Sequence, residues 1–159
     1  MNRKGFTLIE LLAIIVVIAV VAVLIAPNII ESFNASKNKS YDLLIENIKV
    51  AGENYYQECE YGDLSDTSKY GTLACSISTS NNSTIVTLGK LASLGILKTN
   101  NKDNNGNYIV TNPKTSNNIN NCEIKIIKNV NSSTYKTTYT ISLNKANGVT
   151  GCPTTTELS

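Results

Sequence analysis

The side chains that could do chemistry are few, and the sequence contains no histidine. Without histidine, neither a Ser–His nor a Cys–His catalytic pair can form. The sequence also lacks a P-loop and a glycine-rich dinucleotide-binding motif, so we expect no cofactor and no enzymatic activity. The candidates that remain are four cysteines and one acidic residue, Glu10, inside an otherwise apolar run. The sequence therefore predicts cross-linking and a charge in an apolar setting rather than catalysis.

The cysteines are Cys59, Cys75, Cys122 and Cys152. They form no Cys-x-x-Cys pair, so we predict no metal site. An even number of cysteines in an exported chain indicates two disulfides made in an oxidising compartment. Of the three possible connectivities we favour Cys59–Cys75 with Cys122–Cys152, because each bond then closes a separate segment. Four buried free thiols are the alternative.

Residues 6–26 form an apolar stretch in which Glu10 is the only charged residue. At ~1.5 Å per residue, a helix over this stretch spans about 30 Å, the thickness of a bilayer core. The stretch is too long for an ordinary secretory signal and is not followed by a small-x-small cleavage site. It predicts a membrane-spanning helix, for which a plain membrane anchor is the simplest interpretation.

Glu10 argues against a plain anchor, because a carboxylate inside a bilayer is costly and requires a partner. Cleavage between Gly5 and Phe6 would create a new α-amino group about one helical turn from Glu10. Glu10 could then pair with the amine of its own Phe6 or with that of a neighbouring chain. The alternative is a glutamate near the helix end that reaches the lipid headgroups.

The octapeptide KGFTLIEL, residues 4–11, followed by the apolar run, resembles the class III signal of type IV prepilins and pseudopilins. The resemblance implies cleavage after Gly5 and N-methylation of Phe6, both by a membrane prepilin peptidase. It also implies that Glu10 pairs with a neighbour's N-terminus during assembly. Pro27 stands where such pilins often carry a helix-bending proline. The close resemblance covers residues 3–27.

Apolar residues continue at helical spacing beyond the membrane-length run, from Tyr41 to Cys59. The pattern predicts one long helix from about Thr7 to about Glu58, interrupted by a kink at Pro27. Its second half is amphipathic and therefore needs a surface to pack against. With the strands that follow, the fold class is α+β: a long N-terminal helix packed on a small antiparallel sheet, as in pilins.

After the helix, residues 59–83 read as a loop, and a strand is predicted at residues 84–86. Thr87 is predicted to cap a short helix over residues 88–94 that ends at Gly95. Further strands are predicted at residues 108–110, 122–129 and 135–143, with a turn at residues 129–133. The last two make a hairpin whose apolar face, including Tyr135, should cover the helix. The Cys122–Cys152 loop resembles the disulfide-bounded, surface-exposed region of many type IV pilins.

The segment Asp103–Asn107 is rich in oxygen ligands, which makes a calcium loop one interpretation. Gly106 is misplaced for an EF-hand, and no glutamate follows at the required distance. A simple Asn-Gly turn is the favoured interpretation.

These observations predict four segments: a leader at residues 1–5, a membrane and filament-core helix at 6–30, an amphipathic helix half at 31–58, and a head at 59–159. Arg3 and Lys4 of the leader account for the whole formal net charge of +2. No basic patch remains that would indicate specific nucleic-acid binding.

We therefore expect a structural pilin that is cleaved, methylated and polymerised into a type IV pilus or similar filament. Its expected partners are copies of itself, other pilins, the prepilin peptidase, and an assembly platform with its ATPase. It should reside in the cell membrane before assembly and on the cell surface afterwards. The frequent Asn, Lys and Ile suggest an AT-rich genome, and we expect a Gram-positive source. The alternatives are a minor pilin, a pseudopilin of a secretion or DNA-uptake system, or a single-span membrane protein with an extracellular head that never polymerises.

Overall fold

The computed structural model describes residues 6–62, 64, 75 and 77–158. The chain divides into two compact units, Met1–Lys39 and Ser40–Ser159. Helix α1, Leu8–Tyr61, contributes to both units. Among its described residues, the second unit adds a small three-stranded antiparallel sheet and two short helices. The α+β fold class expected from the sequence is confirmed.

In the first unit, α1 carries the apolar run. The segment Leu8–Ile25 has a mean hydropathy of 3.4, and none of it is buried. Its length and composition suit a membrane span. Pro27 lies within the helix, and the kink predicted there remains a prediction.

In the second unit, the continuation of α1 buries one face. Its fully or nearly buried residues recur at helical spacing and are Tyr41, Ile45, Ile48, Ala51, Tyr55, Tyr56 and Cys59. The opposite face keeps exposed side chains, including Leu43 and Val50. This is the amphipathic pattern that the sequence predicts, although the helix ends at Tyr61, slightly beyond the expected position.

The sheet comprises β1 (Ser83–Thr87), β2 (Glu123–Val130) and β3 (Thr137–Lys145), in the order β1-β2-β3 with antiparallel neighbours. Its inward residues alternate along each strand, as expected for a sheet with one covered face. They belong to the same hydrophobic core as the buried helix residues and are Val86, Ile124, Ile126 and Ile141. The predicted packing of the hairpin against the helix is therefore confirmed.

Two strand predictions are wrong. Residues 108–110 form no strand, and a single isolated bridge pairs Tyr108 with Lys102. Tyr135 lies outside the sheet, is 84% exposed and has a φ of 52°. The turn between β2 and β3 lies later than predicted. The Asn131 side chain accepts hydrogen bonds from the N–H groups of Ser133 and Thr134, and these bonds fix the position of the turn.

Helix α2, Leu88–Ser93, follows β1 directly. Thr87 is its N-cap, and the Thr87 hydroxyl accepts the Lys90 N–H at 3.2 Å. Gly95 has a φ of 75°, a left-handed conformation that glycine adopts without a steric penalty. Both ends of this helix therefore follow from local sequence, as predicted.

Two disulfides lie in the second unit, Cys59–Cys75 and Cys122–Cys152. The first attaches the end of α1 to the segment before β1. The second joins the start of β2 to the segment that follows β3. This is the pairing that the sequence favours.

Helix α3, Thr155–Leu158, was not predicted. Thr154 caps it, since its backbone N–H and hydroxyl both donate to Glu157 Oε2, at 2.7 and 2.9 Å. The same oxygen accepts from the Tyr41 hydroxyl at 2.9 Å, while Leu158 is buried in the core. These contacts attach α3 to α1, although Glu157 and Tyr41 are 116 positions apart in sequence.

This contact should make head stability depend on pH. Hydrogen bonds from Thr154 hold the pKa of Glu157 below its ordinary value of 4.5. A depressed folded-state pKa contributes stability above pH 4.5 that is lost as the pH falls through the folded value. Glu157→Gln should cost about 1 kcal/mol at pH 7 and flatten the acid decline of stability. Urea unfolding at pH 7 and pH 3 measures both effects.

The matched control is Glu46→Gln, which changes an exposed glutamate on α1 and should leave the pH profile unaltered. A Glu157→Gln protein whose acid decline matches that of the wild type would refute the role given to this carboxylate.

Alkaline conditions give an independent check on Tyr41. Burial and the hydrogen bond to Glu157 raise the pKa of Tyr41 from 10 to about 12, so the stability that Tyr41 contributes should be lost as the pH rises from 10 to about 12.

Candidate processing and assembly site

The first turn of α1 is closed by Thr7 and Glu10. The Thr7 backbone N–H and the Thr7 hydroxyl both donate to Glu10 Oε2, at 2.9 and 2.8 Å. In return, Thr7 Oγ1 lies 3.4 Å from the Glu10 backbone nitrogen, and the Thr7 carbonyl accepts the Leu11 N–H. This is a capping box, in which an N-cap threonine and a glutamate three residues later satisfy each other's backbone donors.

The sequence interpretation missed the role of Thr7. The signal was present, because Thr-x-x-Glu before an apolar run is the usual sequence form of a capping box. Glu10 therefore has hydrogen-bond partners within its own turn. These bonds from Thr7 add a local partner to the two that the sequence suggested for Glu10, the amine of Phe6 and the lipid headgroups.

Hydrogen bonding within the turn does not neutralise the charge. Threonine supplies neutral donors, and both act on Oε2. In the part of the chain that the structure describes, Oε1 accepts no hydrogen bond. One carboxylate oxygen thus remains available to a cationic donor, and a charge-assisted bond to it would be stronger than either bond from Thr7.

The residues around the carboxylate are exposed. Phe6 is 81% exposed, and Leu8 and Ile9 are almost equally uncovered. Gly5, on the other side of the predicted cleavage site, lies outside the described residues. The structure thus places Phe6 and Glu10 on the same short segment, with Thr7 between them and an apolar helix after them.

The other predicted site residues lie elsewhere. Pro27 belongs to the same helix, several turns further along, and the four cysteines belong to the second unit. Among the described residues, no group of His, Cys, Asp or Glu is arranged to hold a metal ion. The Asp103 carboxylate instead accepts from the Asn105 and Asn107 N–H groups, at 2.9 and 2.8 Å. The Asn107 side-chain amide also donates to Asp103, at 3.0 Å, and this bond together with the backbone bonds lowers the pKa of Asp103. All of these bonds lie within one turn.

Comparison with known families decides what the first segment is. Residues 1–26 match the family described as the prokaryotic N-terminal methylation motif. This match supports a type IV pilin-like prepilin. No curated protein and no solved structure matches the chain. The pilin-like assignment therefore rests on this segment, together with a pilin-like arrangement of helix and sheet.

The prepilin motif has direct implications. It implies processing by a prepilin peptidase and assembly with other pilins. Pilins are structural proteins rather than enzymes. An apolar helix beside this motif is consistent with membrane anchoring followed by assembly at the surface.

Proposed function

We propose that this chain is a structural pilin: it is cleaved between Gly5 and Phe6, N-methylated on Phe6 and polymerised into a type IV pilus or pilus-like filament. Copies of the chain are its main partner, and an assembly platform with its ATPase extracts the helix from the membrane. A minor pilin or a pseudopilin would differ in the filament it joins rather than in this chemistry.

The observation that carries the proposal is a methylation motif with an apolar helix that the rest of the described chain does not bury. All of Leu8–Ile25 is unburied, although burial of apolar area is worth ~25 cal/mol per Å². Such a helix needs apolar surroundings, which lipid provides before assembly and other apolar helices provide in the filament. Because lipid is already apolar, the step from membrane to filament depends on packing and polar contacts rather than on dehydration.

In this proposal each segment of the chain has a separate role. Residues 1–5 address the peptidase and are removed, residues 6–30 form the membrane and filament-core helix, and residues 31–58 join the helix to the head. The head, residues 59–159, covers the filament surface. Pro27 is proposed to bend the helix.

Mass spectrometry of the membrane-bound and filament forms tests the first step. We expect an N-terminus at Phe6 that carries one added methyl group, because cleavage and methylation are consequences of the motif. As a matched control, a peptidase-deficient host should yield the chain with residues 1–5 retained. An N-terminus at Met1 in the normal host, or cleavage elsewhere, would refute the prepilin function.

Polymerisation needs a separate test, since a correctly processed chain could remain a single-span membrane protein. Mechanical shearing of cells followed by electron microscopy with an antibody against the head should show labelled filaments. Label confined to the membrane, on a chain with a mature Phe6, would support the non-polymerising alternative.

A further inference from the structure

The second unit contains two Asn-Gly dipeptides, Asn105-Gly106 and Asn147-Gly148. Both lie in turns, and both asparagines are exposed. Neither dipeptide belongs to the candidate assembly site, and the proposed polymerisation uses neither. Because the dipeptide and its exposure are the same, a difference in chemistry between the two must come from the hydrogen bonds of each asparagine.

The chemistry open to an Asn-Gly dipeptide is deamidation. The glycine backbone nitrogen attacks the asparagine Cγ, and an N–Cγ bond forms while the Cγ–Nδ2 bond breaks. Nδ2 leaves as ammonia and takes the proton of the attacking N–H. Water then opens the resulting succinimide ring at either carbonyl, which gives aspartate or isoaspartate. Glycine favours the attack because it has no Cβ to obstruct the approach.

The side chain of Asn105 is free to take part in this reaction. In the part of the chain that the structure describes, its amide makes no hydrogen bond, and only the Asn105 backbone N–H is held, by Asp103 Oδ1 at 2.9 Å. The attacking atom, the Gly106 nitrogen, donates to the Asp103 carbonyl at 3.0 Å. This bond closes a single exposed turn. One local hydrogen bond therefore has to open before the ring can form.

The side chain of Asn147 is held by the very atom that would have to leave. Its Nδ2 donates to the Asn121 carbonyl at 2.8 Å and to Glu123 Oε1 at 3.0 Å, and these acceptors lie 26 and 24 positions away in sequence. The other oxygen of Glu123 accepts from Asn144 at 3.0 Å, so the carboxylate is itself fixed. Attack by the Gly148 nitrogen requires the side chain to turn away and lose both bonds. The new carboxylate would also be repelled by Glu123.

We propose that Asn105 is a site of spontaneous deamidation in the folded protein, whereas Asn147 is protected by its bonds to the start of β2. Water is the only other reactant, so the modification needs no enzyme. It depends on the time that a folded copy of the chain exists. The proposal does not depend on cleavage, methylation or polymerisation.

The modification changes the charge of the chain. Of its 14 basic side chains, 12 remain without Arg3 and Lys4, and they balance the 12 acidic side chains. Conversion of Asn105 to either product adds one negative charge. Proteins with a net charge near zero associate more readily. If the leader is removed as proposed, older copies would therefore repel one another more than new copies do.

The test follows the full chain during prolonged incubation in maltoside micelles, in mildly alkaline buffer. Trypsin places the two dipeptides on separate peptides, residues 103–114 and 146–159, after reduction of the disulfides. Mass spectrometry measures the conversion of amide to acid in each peptide, with the sample at time zero as the blank. Asn105→Gln assigns the signal in the first peptide. Isoelectric focusing of the aged wild type should show an acidic form that co-migrates with Asn105→Asp.

Two conditions separate folding from local sequence. In the folded chain, Asn105 should react at least about tenfold faster than Asn147, because two hydrogen bonds hold the Asn147 amide. In concentrated urea these bonds are lost, and the two rates should agree within about threefold. Equal rates in the folded chain would overturn the proposal. A rate for Asn105 that is more than about tenfold lower in the folded chain than in urea would also overturn it, since the turn would then protect Asn105.

A variant tests the protection of Asn147. Glu123→Ala removes one of the two acceptors of its amide and should speed deamidation at Asn147 several-fold, with no change at Asn105. The matched control is Glu46→Ala, which removes an exposed glutamate of α1 and should change neither rate. A Glu123→Ala chain in which Asn147 reacts no faster, or in which both rates rise equally, would refute the protection assigned to these bonds.

Discussion

Replacing Glu10 with alanine is expected to leave cleavage before Phe6 largely intact and to reduce filament yield by about tenfold or more. The cleavage site lies upstream of the carboxylate, whereas the carboxylate is proposed to receive the new amine of a neighbouring chain. In the apolar interior of a filament, an amine without its counter-charge is strongly unfavourable. The measurement is the ratio of sheared filament to processed membrane form, determined by immunoblot.

Two variants separate the roles of Glu10. Glu10→Gln retains an oxygen that can accept from Thr7 but removes the charge, so it should assemble almost as poorly as the alanine variant. Thr7→Val removes the hydroxyl of the capping box but leaves the charge and the backbone donor. It should assemble far better than either Glu10 variant.

Normal filament yield from Glu10→Gln would show that helix capping, and not charge, is what assembly requires. A Thr7→Val chain as defective as Glu10→Ala would point to the same conclusion. The three variants together therefore distinguish a local helix start from a contact between chains.

Removal of the Cys122–Cys152 disulfide should produce the largest loss of stability in the head. The bond closes a separation of 30 residues, for which the chain-entropy relation gives roughly 3.6 kcal/mol. Cys122 is completely buried, so Cys122→Ala also leaves a small cavity. A loss of this size is a large fraction of the ~5–15 kcal/mol typical of a domain.

The Cys59–Cys75 pair provides the comparison. It closes a separation of 16 residues, which corresponds to roughly 3.1 kcal/mol in the same relation. Both double alanine variants should be measured by urea unfolding in detergent, beside the oxidised parent. If the Cys122→Ala/Cys152→Ala double variant lost less than about 1 kcal/mol, the bond would not be a main support of the fold.

Local sequence determined much of the head. Thr87 before Leu88 and glycine at position 95 fixed helix α2, because capping depends on a few adjacent residues. The buried face of α1 followed from spacing alone, since only one side of the helix is apolar. The alternating isoleucines likewise predicted which face of β2 is buried.

Predictions failed where a distant contact or a polar turn decided the structure. Tyr108 has a strand-like neighbourhood, but its backbone carbonyl is bonded by the Asn120 side chain instead of a strand partner. The short helix at Thr155 carries its own capping signal, yet its position depends on Tyr41. At the candidate assembly site, Phe6 and Glu10 were predicted from the motif and stay predictions, whereas the capping role of Thr7 became evident only from the hydrogen bonds.

The bond between Tyr41 and Glu157 joins residues 116 positions apart and brings together the two ends of the second unit. Its core likewise includes Leu158 beside residues of α1. A domain closed in this way has its native contacts completed late, after nearly all of its chain is available. If the chain is exported as proposed, the α1 face from Tyr41 to Cys59 would stay apolar and uncovered until the segments that follow it have also crossed the membrane. In that case the proposed export would include an interval between anchoring and folding in which this face is open to an extracytoplasmic chaperone or a protease.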